Sequence, residues 1–243
     1  MPSPTTRRLP LAALTCATAL LTLTACNSTD STDTAKPAEQ TPTARADTAN
    51  GIERLPAAEI YTKATRANAH AGSFRERMDR SDTRTDLRLS ATECTGTVDK
   101  KQHGRFDIVI KGSDIFAKID QTLAKELDHQ VPASRWLHGT RDNALLKALA
   151  SYCHQEQFTH PDTASTPLTK KAIRERDGRR AVPVELASGG NTVTYLVSAD
   201  GTPHLLAVDS SNNAAVGDIT YSDFGQPVEA TKPTTDIVEL PAS

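Results

Sequence analysis

The fold is indicated by residues 85–119, which read TDLRLSATECTGTVDKKQHGRFDIVIKGSDIFAKI. Apolar and polar side chains alternate along this stretch, so that Leu87 and Leu89 share one face of a strand. A later strand repeats the spacing at three positions: Phe106, Ile108 and Ile110. Glycine-containing segments separate these runs and predict tight turns. The stretch therefore predicts neighbouring antiparallel strands that bury one face and expose the other.

The flanking sequence extends this pattern in both directions. A helix is predicted to begin at Pro56 and to end near Ala71, and a strand covers residues 74–80. The centre is helical at 120–129 and 143–152, and residues 159–168 form a polar loop. Further strands are predicted at 172–176, 180–186, 191–197, 203–209 and 216–221. The sequence predicts an α+β domain over residues 51–243, in which helices pack in the concave face of one antiparallel sheet.

The N-terminus has the features of an export signal. Arg7 and Arg8 precede an apolar segment at residues 11–23, which is too short to span a membrane well. The segment leads into Leu23-Thr24-Ala25-Cys26, the form of a bacterial lipobox. We expect residues 1–25 to be removed and Cys26 to be lipidated, with palmitate among its acyl chains, on the extracytoplasmic face of the cell membrane. An ordinary cleaved signal is the alternative, and twin-arginine export remains as open as the general route.

Residues 26–50 are predicted to be the lipidated cysteine followed by a disordered tether. From Asn27 to Asn50 the chain contains no Leu, Ile, Val, Phe, Tyr or Trp, and therefore cannot bury enough apolar surface to offset the entropy lost on ordering. A flexible coil of this length spans roughly 27 Å between its ends. The tether would allow the folded domain to reach away from the membrane.

Cys94 and Cys153 are the thiols that remain in the exported domain besides Cys26. Exported proteins usually pair such cysteines in a disulfide, which is our expectation here. A shared metal ion and two free thiols are the alternatives, although neither cysteine belongs to a C-x-x-C motif.

Charge and motif content exclude several functional classes. The chain has 28 basic and 30 acidic residues among 243, so no basic excess favours nucleic-acid binding. It contains no nucleophile-elbow, zinc-protease, phosphate-loop or dinucleotide-binding motif. Of the histidines only His154 and His160 are close in sequence, and no acid lies at a metal-ligand spacing from them. The sequence predicts no enzyme, no metal site and no cofactor.

Four short motifs, in order along residues 52–240, resemble the actinobacterial lipoproteins of the LppX/LprG group, which share a fold with the carrier LolA. The lipobox and tether precede the motifs as they do in that group. The motifs are Cys94-Thr95-Gly96-Thr97-Val98, Leu145 to Cys153, Asp200 to Leu206 and Tyr221 to Val228. The resemblance implies a strongly curved LolA-like antiparallel sheet, a half-barrel, with helices in its concavity.

For some members of the group, the resemblance also implies a hydrophobic cavity that carries acylated lipids. The cavity candidates are the apolar residues expected on the covered face of the sheet: Phe106, Ile108, Ile110, Val193, Tyr195, Val197, Leu206 and Val208. We expect a membrane-anchored lipoprotein that binds or carries an apolar or acylated ligand between sheet and helices. The alternative is an envelope interaction or sensor domain with a closed core. Neither hypothesis identifies a protein partner from the sequence.

Overall fold

The computed structural model describes residues 48–128, 131–154, 167–188, 190–210 and 217–242. The expected leader, Cys26 and nearly all of the tether lie outside the described residues, as does most of the polar loop at 159–168. Within the described ranges, no helix combines the length and the apolar character needed to cross a membrane.

The described strands form one sheet. The first six are β1 (Ser73–Asp79), β2 (Arg84–Ser90), β3 (Glu93–Asp99), β4 (Arg105–Lys111), β5 (Asp114–Ile119) and β6 (Trp136–Gly139). The later strands are β7 (Leu168–Lys170), β8 (Arg174–Arg176), β9 (Arg179–Ser188), β10 (Asn191–Ser198), β11 (Leu205–Ser210), β12 (Asp218–Ser222) and β13 (Ile237–Glu239). Their spatial order is β13-β6-β5-β4-β3-β2-β1-β12-β11-β10-β9-β7, and β8 also pairs with β9. Every pairing is antiparallel except that of β13 with β6.

The three described α-helices are α1 (Ala57–Ala71), α2 (Gln121–Glu126) and α3 (Ala144–Ala150). Pro56 immediately precedes α1 instead of occupying its first turn. The side chains of Asp120 and Asn143 cap α2 and α3 by accepting hydrogen bonds from the backbone N–H groups of Leu123 and Leu146. Both helices are shorter than the sequence predicts, and a 3₁₀ turn at Ser151–Cys153 continues α3.

Three short strands were not predicted. β6, β7 and β13 contain three or four residues each, which is too few for alternation to be visible in the sequence. β13 pairs in parallel with β6, and a pairing between strands so far apart in sequence leaves no local signal in the sequence.

All three helices pack on the same face of the sheet, here called the inner face. Ile60 and Ala64 of α1 are buried in one continuous apolar core with Leu146 and Leu149 of α3. The alternating residues of β2 and β4 that the sequence places on one face belong to the same core: Leu87, Leu89, Phe106, Ile108 and Ile110. The alternation of apolar and polar residues along the strands therefore produces the apolar surface that the helices cover.

Residues 223–236, which connect β12 to β13, cross the outer face of the sheet and are here called the C-terminal strap. Asp223 pairs with Arg88 at 3.1 Å, and the carbonyl of Ala230 accepts a hydrogen bond from Lys111 at 3.1 Å. Val228 and Ala230 cover a small apolar cluster of β4 and β5 on the outer face. The strap thereby ties the middle of the sheet to its edge.

A disulfide joins Cys94 of β3 to Cys153, with Cα atoms 6.0 Å apart and a sequence separation of 59 residues. Cys94 is 2% exposed within the inner-face core. The bond holds the segment after α3 against the sheet and encloses the chain from β4 to α3 in one covalent loop.

Replacing Cys94 and Cys153 together by alanine should lower the free energy of unfolding by up to about 4 kcal/mol, because the open chain gains loop entropy when unfolded. Equilibrium urea denaturation of the exported domain measures this difference. The wild type in reducing agent is the matched control and should unfold at the same midpoint as the double variant. An oxidised wild type no more stable than the double variant would contradict the expectation.

Candidate ligand-binding region

The predicted cavity residues fall into two groups at different places on the sheet. Phe106, Ile108 and Ile110 lie on β4, which α2 and α3 contact. A second group lies on β10 and β11, which α1 contacts, and contains Val193, Tyr195, Val197 and Val208. The strands β3, β2, β1 and β12 separate β4 from β11. The two groups therefore belong to one apolar core but lie under different helices.

Leu206 lies on the opposite face from the one predicted. It packs with Ala181, Leu196 and Ala207 in an apolar cluster of the outer face. The cause is a β-bulge, since Leu196 pairs with Ala207 whereas the next residue, Val197, pairs with Leu205. Leu206 is the extra residue of the bulge, and simple alternation fails at this point.

The inner face is closed around most of the predicted cavity residues, whereas Val193 and Tyr195 are half-buried. Phe106, Ile108 and Val197 are at most 1% exposed within the continuous core. Four depressions of about 290, 330, 340 and 420 Å³ formed by described residues are surface grooves with charged groups in their linings. Leu206 lines two of these depressions. None of the other predicted cavity residues lines any of the four.

The inner face also contains a buried carboxyl group at its centre. Glu76 of β1 is 4% exposed and lies opposite Leu87 of β2 and Tyr221 of β12. Its inward neighbours along β1 are Phe74 and Met78. Among the described residues, the Glu76 Oε2 atom has no hydrogen-bond partner. Burial raises the pKa of the Glu76 carboxyl to about 7, and the positive charge of Arg80 offsets part of this rise.

Tyr221 of β12 lies beside Glu76, and Tyr61 of α1 and Tyr195 of β10 lie near Tyr221. We call these four residues the Glu76 cluster. The rings of Tyr61 and Tyr195 have centroids 4.8 Å apart, and Tyr221 meets the edge of Phe74 at 5.6 Å. Burial, and then the negative charge of Glu76, raise the pKa of Tyr221. The cluster concentrates polar groups where α1 covers an otherwise apolar face.

The sequence interpretation missed Glu76. The mixed charges of Arg75-Glu76-Arg77 predict an exposed strand face, which is wrong for Glu76. Arg75 and Arg77 do point outward, where they pair with Asp86 at 2.6 and 3.3 Å. Alternation through Phe74, Glu76 and Met78 places the carboxyl inward, and that spacing was the signal available in the sequence.

Asn68 attaches α1 to β11. This fully buried side chain donates to the carbonyl of Leu205 at 3.3 Å and accepts from its N–H at 3.1 Å. Its Oδ1 also lies 3.1 Å from His204 Nδ1. His204 stacks on Phe224 with ring centroids 3.9 Å apart. Burial, followed by the positive charge of Arg179, lowers the pKa of His204 to about 4, so this imidazole is neutral at physiological pH.

The described part of the chain defines a class of fold: a large, curved, unclosed and mostly antiparallel sheet with few helices. The crystal structure of LprF from Mycobacterium bovis has this fold, with a TM-score of 0.51 and 12% sequence identity over 74% of this chain and 97% of that chain. The Mycobacterium tuberculosis lipoprotein LppX aligns with a TM-score of 0.48 and 14% identity over 72% of this chain and 98% of that chain. The fold expected from resemblance to the LppX/LprG group is confirmed. No protein-family model and no curated protein sequence matches the chain.

Metal chemistry finds no support among the described side chains. No three His, Cys, Asp or Glu residues in the described ranges come together as a possible metal site. Glu76 is the buried acid of this region, and its surroundings are aromatic and aliphatic. Such a carboxyl can donate or accept a hydrogen bond at neutral pH, because both of its protonation states are accessible there.

Replacing Glu76 by glutamine should remove a pH dependence of stability. The folded-state pKa of Glu76 is raised above its unfolded value, so the folded protein binds the additional proton between about pH 4.5 and 7. Glu76 therefore makes stability fall as pH rises through this window, by roughly 3 kcal/mol in total. Urea unfolding at pH 5 and pH 8 should show Glu76→Gln more stable than wild type at pH 8 and nearly equal at pH 5.

The comparison must be made between variant and wild type, because His204 contributes the opposite slope. Its lowered pKa makes stability fall as pH drops from about 6.5 to 4. Glu59→Gln, at an exposed position of α1, is the matched control and should leave the pH profile unchanged. A Glu76→Gln profile parallel to that of wild type would show that the carboxyl does not titrate in this window.

Proposed function

We propose that this protein is a membrane-anchored extracytoplasmic lipoprotein that binds an apolar or acylated ligand between its sheet and its helices. The lipobox at residues 23–26 supports the anchor, with Cys26 as the lipidated residue. The fold shared with LprF supports the ligand-binding part, because it provides a long concave face covered by few helices. The proposal assigns no catalytic residue, cofactor or metal.

The Glu76 cluster is the observation that carries the proposal. An unpartnered polar atom buried in a core costs about 1–3 kcal/mol, and a ligand that supplies a partner recovers this energy. Glu76 Oε2 is such an atom, and the aliphatic core around it suits an acyl chain. A ligand with an apolar chain and a hydrogen-bonding head matches both features of this face.

Ligand access to Glu76 requires α1 to move, because Glu76 and Tyr221 are only 4% and 3% exposed. α1 covers the Glu76 cluster with Tyr61, and its polar attachment to the sheet is the buried Asn68. A displaced α1 would expose Tyr195 and Tyr221 together with Glu76. The closed arrangement would then be the ligand-free state of a carrier in which α1 acts as the lid.

The closed core also favours a second candidate function. A domain that never opens would keep the same core permanently packed and act through its surface, as an envelope interaction or sensor module. Continuous burial of Ile60, Ala64 and Val197 at 0% exposure is the observation in favour of this candidate. The two functions differ in whether α1 leaves the sheet.

Native mass spectrometry of residues 27–243, secreted from an actinobacterial host, should distinguish the two functions. The ligand-binding proposal expects a reproducible added mass that is removed by organic extraction and identified as lipid. An unchanged protein mass, also after incubation with envelope lipids, would overturn the proposal and favour the interaction module.

The role of Glu76 is tested by the same measurement on two variants. Glu76→Leu keeps an apolar interior but removes the hydrogen-bonding group, so we expect at least a tenfold loss of bound lipid, corresponding to one hydrogen bond to the carboxyl. Met78→Leu is the matched control on the same strand and face, since it conserves volume and character. Thermal unfolding establishes that both variants fold. Equal lipid in Glu76→Leu and Met78→Leu would remove Glu76 from the ligand site.

A further inference from the structure

A second polar region lies outside the inner face, along the exposed side of α1. Two surface depressions of about 420 and 330 Å³ adjoin each other, because both are lined by Thr202, His204 and Phe224. We call them together the basic groove. The stacked rings of His204 and Phe224 contribute to the lining of both depressions, and exposed residues of α1 line the first.

The groove carries a local positive charge. Lys63, Arg66 and His70 line it from α1, where their spacing of three and four residues puts them on one helix face. Arg179 lines the second depression and lies close enough to His204 to lower the pKa of its imidazole. Among the described residues, no carboxylate lies within ion-pair distance of Lys63, Arg66 or Arg179.

The two acids that line the groove are already neutralised by arginines. Asp200 pairs with Arg180 at 2.8 Å, and Asp223 pairs with Arg88 at 3.1 Å. The sequence as a whole has a formal charge of −2, and removal of Arg7 and Arg8 with the leader makes the exported chain more negative still. The basic groove is therefore a local excess of positive charge on a chain whose net charge is slightly negative.

The N-terminal tether joins the domain beside this groove. The N–H of Gly201 donates to the carbonyl of Thr48 at 2.9 Å, and Ala49 bridges to Asp200. The side chain of Asn50 donates to the carbonyls of Ser198 and Gly201 at 3.0 and 3.1 Å. Ser198, Asp200 and Gly201 all line the groove. The chain that follows Cys26 therefore joins the described domain at the rim of the groove.

We infer that the basic groove docks on the anionic phospholipid headgroups of the membrane that holds the anchor. Lys63, Arg66 and Arg179 supply charge for the phosphates, and the short tether keeps the groove at high effective concentration near the surface. Docking would place α1, the proposed lid, against the bilayer from which an acylated ligand would come. The inference rests on the proposed lipid anchor for its orientation, whereas the groove itself can be tested without the anchor.

The test is flotation of residues 27–243 with vesicles of phosphatidylglycerol and phosphatidylcholine, compared with vesicles of phosphatidylcholine alone, at low ionic strength. The described residues of this chain belong to one compact unit, Arg45–Ser243, so the chain without its leader is a sound sample. Each basic residue near an anionic surface contributes about fivefold in partitioning. Lys63→Gln combined with Arg66→Gln should therefore lower partitioning by about 25-fold.

Lys125→Gln combined with Lys147→Gln is the matched control, since both lysines are exposed on helices α2 and α3, away from the groove. The control pair should float like wild type, and 150 mM salt should weaken the binding of both. Inorganic phosphate at millimolar concentration should not displace the protein from the vesicles, because a single free anion does not compete with the many headgroups of an anionic surface.

Three results would overturn the inference: no difference between the two vesicle types, equal losses in both variant pairs, or complete displacement by phosphate, which would indicate a site for a free anion. Because the sample lacks Cys26, none of these results depends on lipidation. Failure of the anchor and failure of the groove are therefore separate outcomes.

Discussion

The structure depends on one constraint, which is that the inner face of a single long antiparallel sheet must be covered. Alternation in β1 to β5 produces a continuous apolar surface, and short helices must hide it from water. α1 covers the second half of the sheet, whereas α2 and α3 cover the first. The disulfide at Cys94 fixes the covering on the first half, and Asn68 holds it on the second. The two halves are thus attached by different chemistry, one covalent and one by hydrogen bonds.

Residues that obey simple periodicity were predictable from the sequence. Leu87, Phe106 and Ile108 lie where alternation places them, and α1 covers nearly the range expected from its pattern. Leu206 was not predictable, because a bulge between β10 and β11 depends on pairing between strands and leaves no mark in the local pattern. Glu76 was misassigned for a different reason. Its charge suggests an exposed side chain. The side on which a strand residue points is decided by its place in the alternation, and for Glu76 that is the inner side.

The candidate site was predicted only in outline. The sequence indicated a covered face and its apolar residues, but not that α1 and α3 would cover different parts of that face. Alternation in β1 indicates the inward side for Glu76, but it does not indicate the Glu76 cluster, whose side chains come from β1, β10, β12 and α1. Contacts between elements so far apart in sequence can be recognised only once the fold is known.

α1 is the element common to both regions, because Tyr61 faces the cluster while Lys63 and Arg66 line the basic groove. Events at the membrane surface and in the interior would therefore act on one helix.

The pairing of β1 with β12 has a consequence for the order in which the protein can fold. This contact lies at the centre of the sheet, yet it joins Arg75 to Ser222, which are separated in sequence by about three quarters of the domain's length. The C-terminal strap adds a later requirement, since β13 must return to β6. Contacts of such high sequence separation form slowly, because a long loop must close before they are made. A chain that crosses a membrane from its N-terminus would therefore complete this sheet only after its last residues had emerged.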